Sequence, residues 1–164
     1  MRRILGVDLG ARRIGIAVAD AEIGIARPHL TIRRAATPTE DAVELVRIAG
    51  EHDASELVVG LPLNADGSAG EQARITRQWA DEIRALLGLR VTLRDERLTS
   101  HLAEQRLGPM KRGRSGGPPT RAQRNGYRAA VDREAAAIIL QDELDARRQA
   151  GGALPTTDPM ETNR

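Results

Sequence analysis

The sequence predicts an α/β fold: a mixed five-stranded sheet in the order 3-2-1-4-5, with strand 2 antiparallel and helices on both faces. Three observations carry this expectation. Ile4–Gly10 is apolar except for Asp8, and a run this apolar is a strand buried on both faces, as in sheets covered by helices. The short link Gly10–Arg13 then leads into a second apolar run, Ile14–Ala19, which makes the two a hairpin. Two further strands, Leu57–Gly60 and Arg90–Arg94, each follow a segment with helix start and stop signals, the pattern of strand-helix-strand units with right-handed crossovers.

Taken in order, the second strand ends at Asp20 and Ile23–Ile32 continues the meander as the third. Thr37-Pro38-Thr39-Glu40 announces a helix, with an N-cap Thr, Pro at the first position and Glu three residues after the cap. It runs to about Ala49 with Val43, Val46 and Ala49 on its buried face, and Gly50 closes it. After the fourth strand, Leu61–Gly67 is a loop. Ser68-Ala69-Gly70-Glu71 reads as a second capping box, opening a long helix through Ile75, Trp79 and Ile83 that stops at Gly88. Beyond the fifth strand, Thr99 or Ser100 caps a short helix through Leu102 and Leu107. Gly108 to about Arg124, rich in Gly, Pro and Arg, is expected to be a mobile loop. The last helix begins between Thr120 and Val131 and continues through Leu144, with Asp132 near its start. One domain is expected over residues 1–145, followed by a disordered tail over 146–164.

Composition narrows the chemistry. There is no Cys, so disulfides, zinc-thiolate sites and thiol nucleophiles are excluded. No apolar run approaches the roughly 20 residues that span a membrane, and the N-terminus lacks a signal-peptide pattern, so a cytoplasmic protein is expected. The pI of about 9.9 overstates the basicity: the net charge is only +2, and Arg supplies all but one of the 25 basic residues, so little titrates above neutrality. Position matters more than the sum. Gln105–Val131 contains no acid but carries Arg106, Lys111, Arg112, Arg114, Arg121, Arg124 and Arg128, which leaves the rest of the chain net acidic.

Three acids stand where a site would form: Asp8 in the first strand, Glu96 just past the fifth, and Asp132 by the last helix. In the order 3-2-1-4-5 the strand bearing Asp8 is central, and the ends of strands four and five open beside it. A cluster of like charges is costly unless a divalent metal neutralises it, and Mg2+ takes carboxylate and phosphate oxygens. Each acid also has a purely structural role open to it. Asp8 could accept N–H bonds from the turn at Gly10-Ala11, Glu96 could pair with Arg94 or Arg97, and Asp132 could face a helix N-terminus. Asp95 competes with Glu96 as the ligand. The cationic segment suits phosphate backbones, and with Trp79 and Tyr127 as the aromatics, recognition is expected to rest on shape and phosphates rather than base stacking. His29, His52 and His101 show no spacing of a metal site.

Gly6-Val7-Asp8-Leu9-Gly10 with Arg13-Ile14-Gly15-Ile16-Ala17, then Val59-Gly60-Leu61-Pro62-Leu63, then Asp95-Glu96-Arg97-Leu98-Thr99-Ser100, then Asp132 with Ala135-Ala136 and Ile138-Ile139-Leu140-Gln141, together resemble the YqgF family. These are ribonuclease-H-like bacterial proteins associated with pre-16S rRNA processing and with Holliday junction resolution. The match covers roughly residues 3 to 145 in the right order. The resemblance implies a ribonuclease-H-like sheet, and it implies that Asp8, Glu96 and Asp132 form an acidic site for Mg2+ or Mn2+, choosing Glu96 over Asp95. The chain departs from related junction resolvases in one respect: they commonly carry a fourth acid near the last one, whereas the residue three along from Asp132 is Ala135, and Glu134 points elsewhere on a helix.

The expectation is therefore a metal-dependent nuclease, monomer or homodimer, that processes the 5′ end of pre-16S rRNA. Asp8, Glu96 and Asp132 are its catalytic and metal-binding residues, and Arg13, Lys111, Arg112, Arg114, Arg121, Arg124 and Arg128 grip the structured RNA. One rival is a dimeric Holliday junction resolvase acting on branched DNA. Another, of a different class, is a non-catalytic nucleic-acid-binding assembly or transcription factor.

Overall fold

The computed structural model describes residues 2–96 and 99–152. Strands β1 (Arg3–Leu9), β2 (Arg13–Asp20) and β3 (Ala26–Arg33) form the meander; α1 (Pro38–Glu51), β4 (Ala54–Leu61), α2 (Glu71–Leu87) and β5 (Arg90–Asp95) form the two crossover units; α3 (Thr99–Leu107) and α4 (Arg121–Gly152) follow. The sheet order is β3-β2-β1-β4-β5, with β1 antiparallel to β2 and parallel to β4. This is the expected topology, and it puts β1 in the centre.

Alternation along β1 divides its side chains between two cores. Leu5, Val7 and Leu9 join Ile14, Ile16, Leu57 and Val59 beneath α1 and α2, where Leu45, Ile48, Trp79 and Ile83 cover them. Ile4 lies on the other face with Ala17, Ala19 and Val58, under Ala136, Ile139 and Leu140 of α4. Asp8 shares the parity of Ile4 and so falls on the α4 face.

Local chemistry sets the element ends. Thr37 and Glu40 form the reciprocal capping box at α1, and Gly88, in the left-handed region at φ 65°, ends α2. Other ends differ from the sequence expectation. The face of α1 that is buried carries Ala42, Leu45, Ile48 and Ala49, while Val43 and Val46 are exposed, because the larger Leu45 and Ile48 define the stripe. No side chain caps α2: Gly70 is its N-cap, and Ser68 is engaged by Asp66 and Asn64 in the preceding turn. The third strand starts at Ala26 because Asp20 accepts the N–H groups of Glu22 and Ile23 and holds that stretch as a turn.

Helix α4 starts within the expected range and differs in how far it runs. It starts at Arg121, where Thr120 and Gln123 exchange side-chain hydrogen bonds with each other's backbone N–H groups, and it runs 32 residues to Gly152, beyond the residue-145 boundary. Residues 153–164 of the expected tail lie outside the described residues. The segment 108–120 folds on itself rather than extending as an open loop: Gly113 donates to the Gly117 carbonyl, and Arg112 to that of Gly116.

The far end of α4 is fastened by a buried ion pair. Glu56 of β4 has no solvent exposure; Arg147 donates to both its carboxylate oxygens and Thr92 donates to Oε1 at 2.9 Å. Burial opposes its ionisation, but the Arg147 and Thr92 hydrogen bonds prevail and hold it below the usual carboxylate range. Arg147→Ala leaves this buried charge with Thr92 and the more distant Arg2 at 3.9 Å, and is expected to destabilise the protein by about 1 to 2 kcal/mol in urea unfolding. Adding Glu56→Leu to that variant should restore much of the loss; a double variant no better than the single would refute this role.

Candidate active site

Asp8 ends the apolar part of β1 between two glycines on neighbouring strands. Its antiparallel partner is Gly15 of β2, and on the other side the β1–β4 register ends at Val7–Val59, one residue before Gly60. Both glycines make room. A Cβ on Gly15 would lie 2.0 Å from the Asp132 carbonyl oxygen, so the α4 backbone rests on the sheet there. A Cβ on Gly60 would lie 2.5 Å from Glu96 Oε2, so the Glu96 carboxylate occupies that space. Asp8 thus has Glu96 over one neighbouring strand and Asp132 over the other.

The Asp8 and Glu96 side chains lie within reach of one another, so a proton held between them relieves the repulsion of two buried carboxylates. Burial raises the pKa of both, to about 7 for Asp8 and about 9 for Glu96; Asp132 adds its repulsion on Asp8, and Asp8 and Asp95 add theirs on Glu96. The two titrate as a pair. Asp132 is compensated differently, by Arg13, whose Nε donates to Oδ2 at 2.5 Å.

The structural alternatives for each acid can now be weighed. The Gly10 N–H donates to the Arg13 carbonyl, closing the turn without Asp8. Arg94 pairs with Glu143 of α4, and Arg97 lies outside the described residues. Asp132 is not at a helix start: it lies about three turns into α4, too far for the terminal dipole. Glu134 pairs with Arg106 across α3 and α4. Parity along β5 separates Glu96 from Asp95. Thr92 and Arg94 reach Glu56 and Glu143 on the α4 side, whereas Val91 and Leu93 pack under α2; Glu96 shares the parity of the first pair and Asp95 that of the second. That alternation is visible in the sequence and was the available signal.

The basic residues divide. Arg13 is on Asp132, Arg128 lines a small cavity with Arg13 and Asp132, and Lys111, Arg112 and Arg114 lie on the 108–120 segment. Arg121, Arg124 and Arg128, expected around a mobile loop, are on α4, and Arg124 donates to the Pro119 carbonyl at 2.5 Å. Sequence reasoning missed Arg12, Arg33 and Arg34, which the hairpin register (Arg13 opposite Arg33) gathers beside Arg13. His29 and His52, expected to be scattered, meet edge to face with their Nε2 atoms 3.0 Å apart.

The donor set suits a hard divalent cation: adjacent carboxylates held together at the cost of retaining a proton, with a third carboxylate in Coulombic range. Among the described residues no three acids or histidines close into a ready-made cage. Mg2+ needs none, since it commonly takes one or two carboxylates and completes its shell with water and substrate phosphate.

The raised pKa values fix a sign. Between the unfolded carboxylate range and about 9 the folded protein binds more protons than the unfolded chain, so the chelator-treated protein should lose stability as pH rises from 5 to 9. Melting curves of Asp8→Asn across that range should be flatter than the parent's. Equal slopes would contradict the shared proton.

The chain is similar to known proteins over most of its length. A family model described as "RuvX: Holliday junction resolvase" matches residues 2–146. A protein of Anaeromyxobacter dehalogenans named "Putative pre-16S rRNA nuclease" is 46% identical over 145 residues, covering 88% of this chain and 98% of its own length. One of the same name from Chloroflexus aurantiacus is 44% identical over 146 residues, covering 88% of each. Among solved structures, Thermus thermophilus RuvC in complex with a Holliday junction substrate aligns with 90% of this chain and 96% of its own, at a TM-score of 0.49 and 13% identity. The extent of the family match and the identity of these relatives show that the chain belongs to the RuvX family, the YqgF family that its motifs resemble.

Proposed function

We propose that this protein is a metal-dependent nuclease that hydrolyses phosphodiester bonds in structured RNA and processes the 5′ end of pre-16S rRNA. One observation carries the reading: Glu96 fills the space over Gly60 and the Asp132 backbone the space over Gly15, so two further acids close on buried Asp8 at the centre of the sheet, a crowding of like charge that a divalent cation would relieve. The names borne by relatives more than 40% identical supply the RNA class.

Asp8 is the fixed member, and Asp8 with Glu96 would hold Mg2+ or Mn2+ once their proton leaves. Bound there, the ion supplies an activated water and stabilises the leaving oxygen of the phosphodiester. Asp132 completes the acidic face, and Arg13 holds it in place until a substrate phosphate competes for the guanidinium. Arg128, lining the same small cavity, faces the position of the scissile phosphate. A cation held there would compete with protons on the Asp8–Glu96 pair, so activity should rise with pH through the range of the pair, about 7 to about 9.

The family description favours a second reading, cleavage of a four-way DNA junction, which calls for a dimer to cut two strands symmetrically. Light scattering and cleavage assays on both substrates separate the two.

Asp8→Asn keeps the shape and removes the charge. Loss of a group that merely orients a metal ligand costs 10- to 100-fold, so loss of the ligand itself should slow Mg2+-dependent pre-rRNA cleavage by roughly 100-fold or more with folding intact. In cells depleted of the protein, complementation with that variant should leave the 16S 5′ end unprocessed. Parent-like cleavage by the variant would refute the site.

A further inference from the structure

A cationic groove of about 670 Å³ lies next to the acidic site and is separate from it. Arg12 and Arg13 enter it from the β1–β2 turn, Arg33 and Arg34 from the end of β3, and Arg121 from the first turn of α4, with Asn125 one turn further on. The fold builds it deliberately: the β2–β3 register sets Arg13 opposite Arg33, the Arg34 N–H donates to the Arg12 carbonyl, and Thr31 Oγ1 donates to the Ala129 carbonyl at 2.6 Å, drawing α4 over that end of the sheet.

Two of the five guanidinium groups are engaged within the protein. Arg34 donates to the Gly10 carbonyl and faces Asp41 at 3.9 Å, and Arg13 holds Asp132. Arg12, Arg33 and Arg121 have no acidic partner among the described residues, and no acid lines the groove. Like charges gathered without counter-charge need an anion, and guanidinium forks match phosphate oxygens two at a time. The other lining groups are small or aliphatic, with no aromatic plate for a base, so the groove reads a backbone rather than a sequence. Arg13 lines both this groove and the small cavity containing Asp132. A strand lying in the groove therefore reaches the acidic site through Arg13.

Helix α4 keeps this track apart from the basic 108–120 segment. Arg121, Asn125 and Ala129 form one stripe of the helix, facing the groove, and Gln123 and Tyr127 form another, facing Met110 and Lys111. We propose that the arginine groove binds the phosphate backbone of the RNA strand leading to the scissile phosphate, with Arg12, Arg33 and Arg121 as its free contacts. This rests on the nuclease reading.

The test measures binding without chemistry. The probe is a fluorescein-labelled RNA hairpin with a single-stranded 5′ leader, titrated with protein in EDTA between about 50 and 200 mM salt. The double variant Arg33→Gln/Arg121→Gln should lower the slope of log affinity against log salt by about 1.4 to 1.8 and weaken binding on the order of 10-fold at the upper end, with an unchanged melting temperature. Arg77→Gln, an exposed arginine on α2 across the sheet, should bind as the parent does. The proposal is overturned if the parent does not bind, if the double variant keeps the parent's slope and affinity, or if Arg77→Gln loses as much. Cleavage in Mg2+ is scored separately. A parent that never cuts while the double variant loses binding overturns the nuclease reading and leaves the groove; a double variant that binds and cuts like the parent overturns the groove and leaves the nuclease.

Discussion

The structure depends on how closely the backbone of α4 lies against the sheet. At Gly15 and again at Gly6 a single added carbon would run into a main-chain oxygen of that helix, Asp132 at 2.0 Å and Ala136 at 2.6 Å. Methyl-sized residues complete the contact, with Ala136 and Ala137 buried against the sheet. Without this approach Asp132 would stand a side chain's length from Asp8. At the far end the Arg147–Glu56 pair fixes where along the sheet the helix sits. A packing rule, small against small, thereby sets the spacing of charged groups.

That spacing is electrostatically expensive, and the protein offsets it in two ways. Asp8 and Glu96 retain a proton, whereas Asp132 takes a guanidinium. On the proposed function both arrangements are exchangeable: a cation would replace the proton, and a substrate phosphate would compete for Arg13. The guanidinium that neutralises an acid is also the link to the arginine groove, so the acidic and basic surfaces meet at one side chain. A phosphodiester carries the charge to satisfy both.

Much of this was legible in the sequence, for identifiable reasons. The sheet order follows from short apolar runs and from the Thr37 box and Gly88 stop, which are local signals. Asp8 was conspicuous because the run Ile4–Gly10 around it is otherwise apolar. Its partners were harder. Glu96 and Asp95 are neighbours, and only the alternation of β5, apolar at Val91 and Leu93 and polar at Thr92 and Arg94, separates them. Asp132 was misplaced to a helix start because the Gly, Pro and Arg content before it hid the Thr120–Gln123 box. The groove was not legible at all from local pattern: Arg12-Arg13 and Arg33-Arg34 become one surface only through strand pairing, and Arg121 joins them from almost a hundred residues away.

The central claim is that Asp8 and Glu96 exchange their shared proton for a divalent cation. Titrating chelator-treated protein with Mn2+ near pH 7, by calorimetry in two buffers of different ionisation enthalpy, counts the protons released as the ion binds. The account requires net proton release as the parent binds the ion, because the pair still holds protons at pH 7, and neither binding nor release by Asp8→Asn. Mn2+ binding without proton release, or binding that survives in Asp8→Asn, would contradict it.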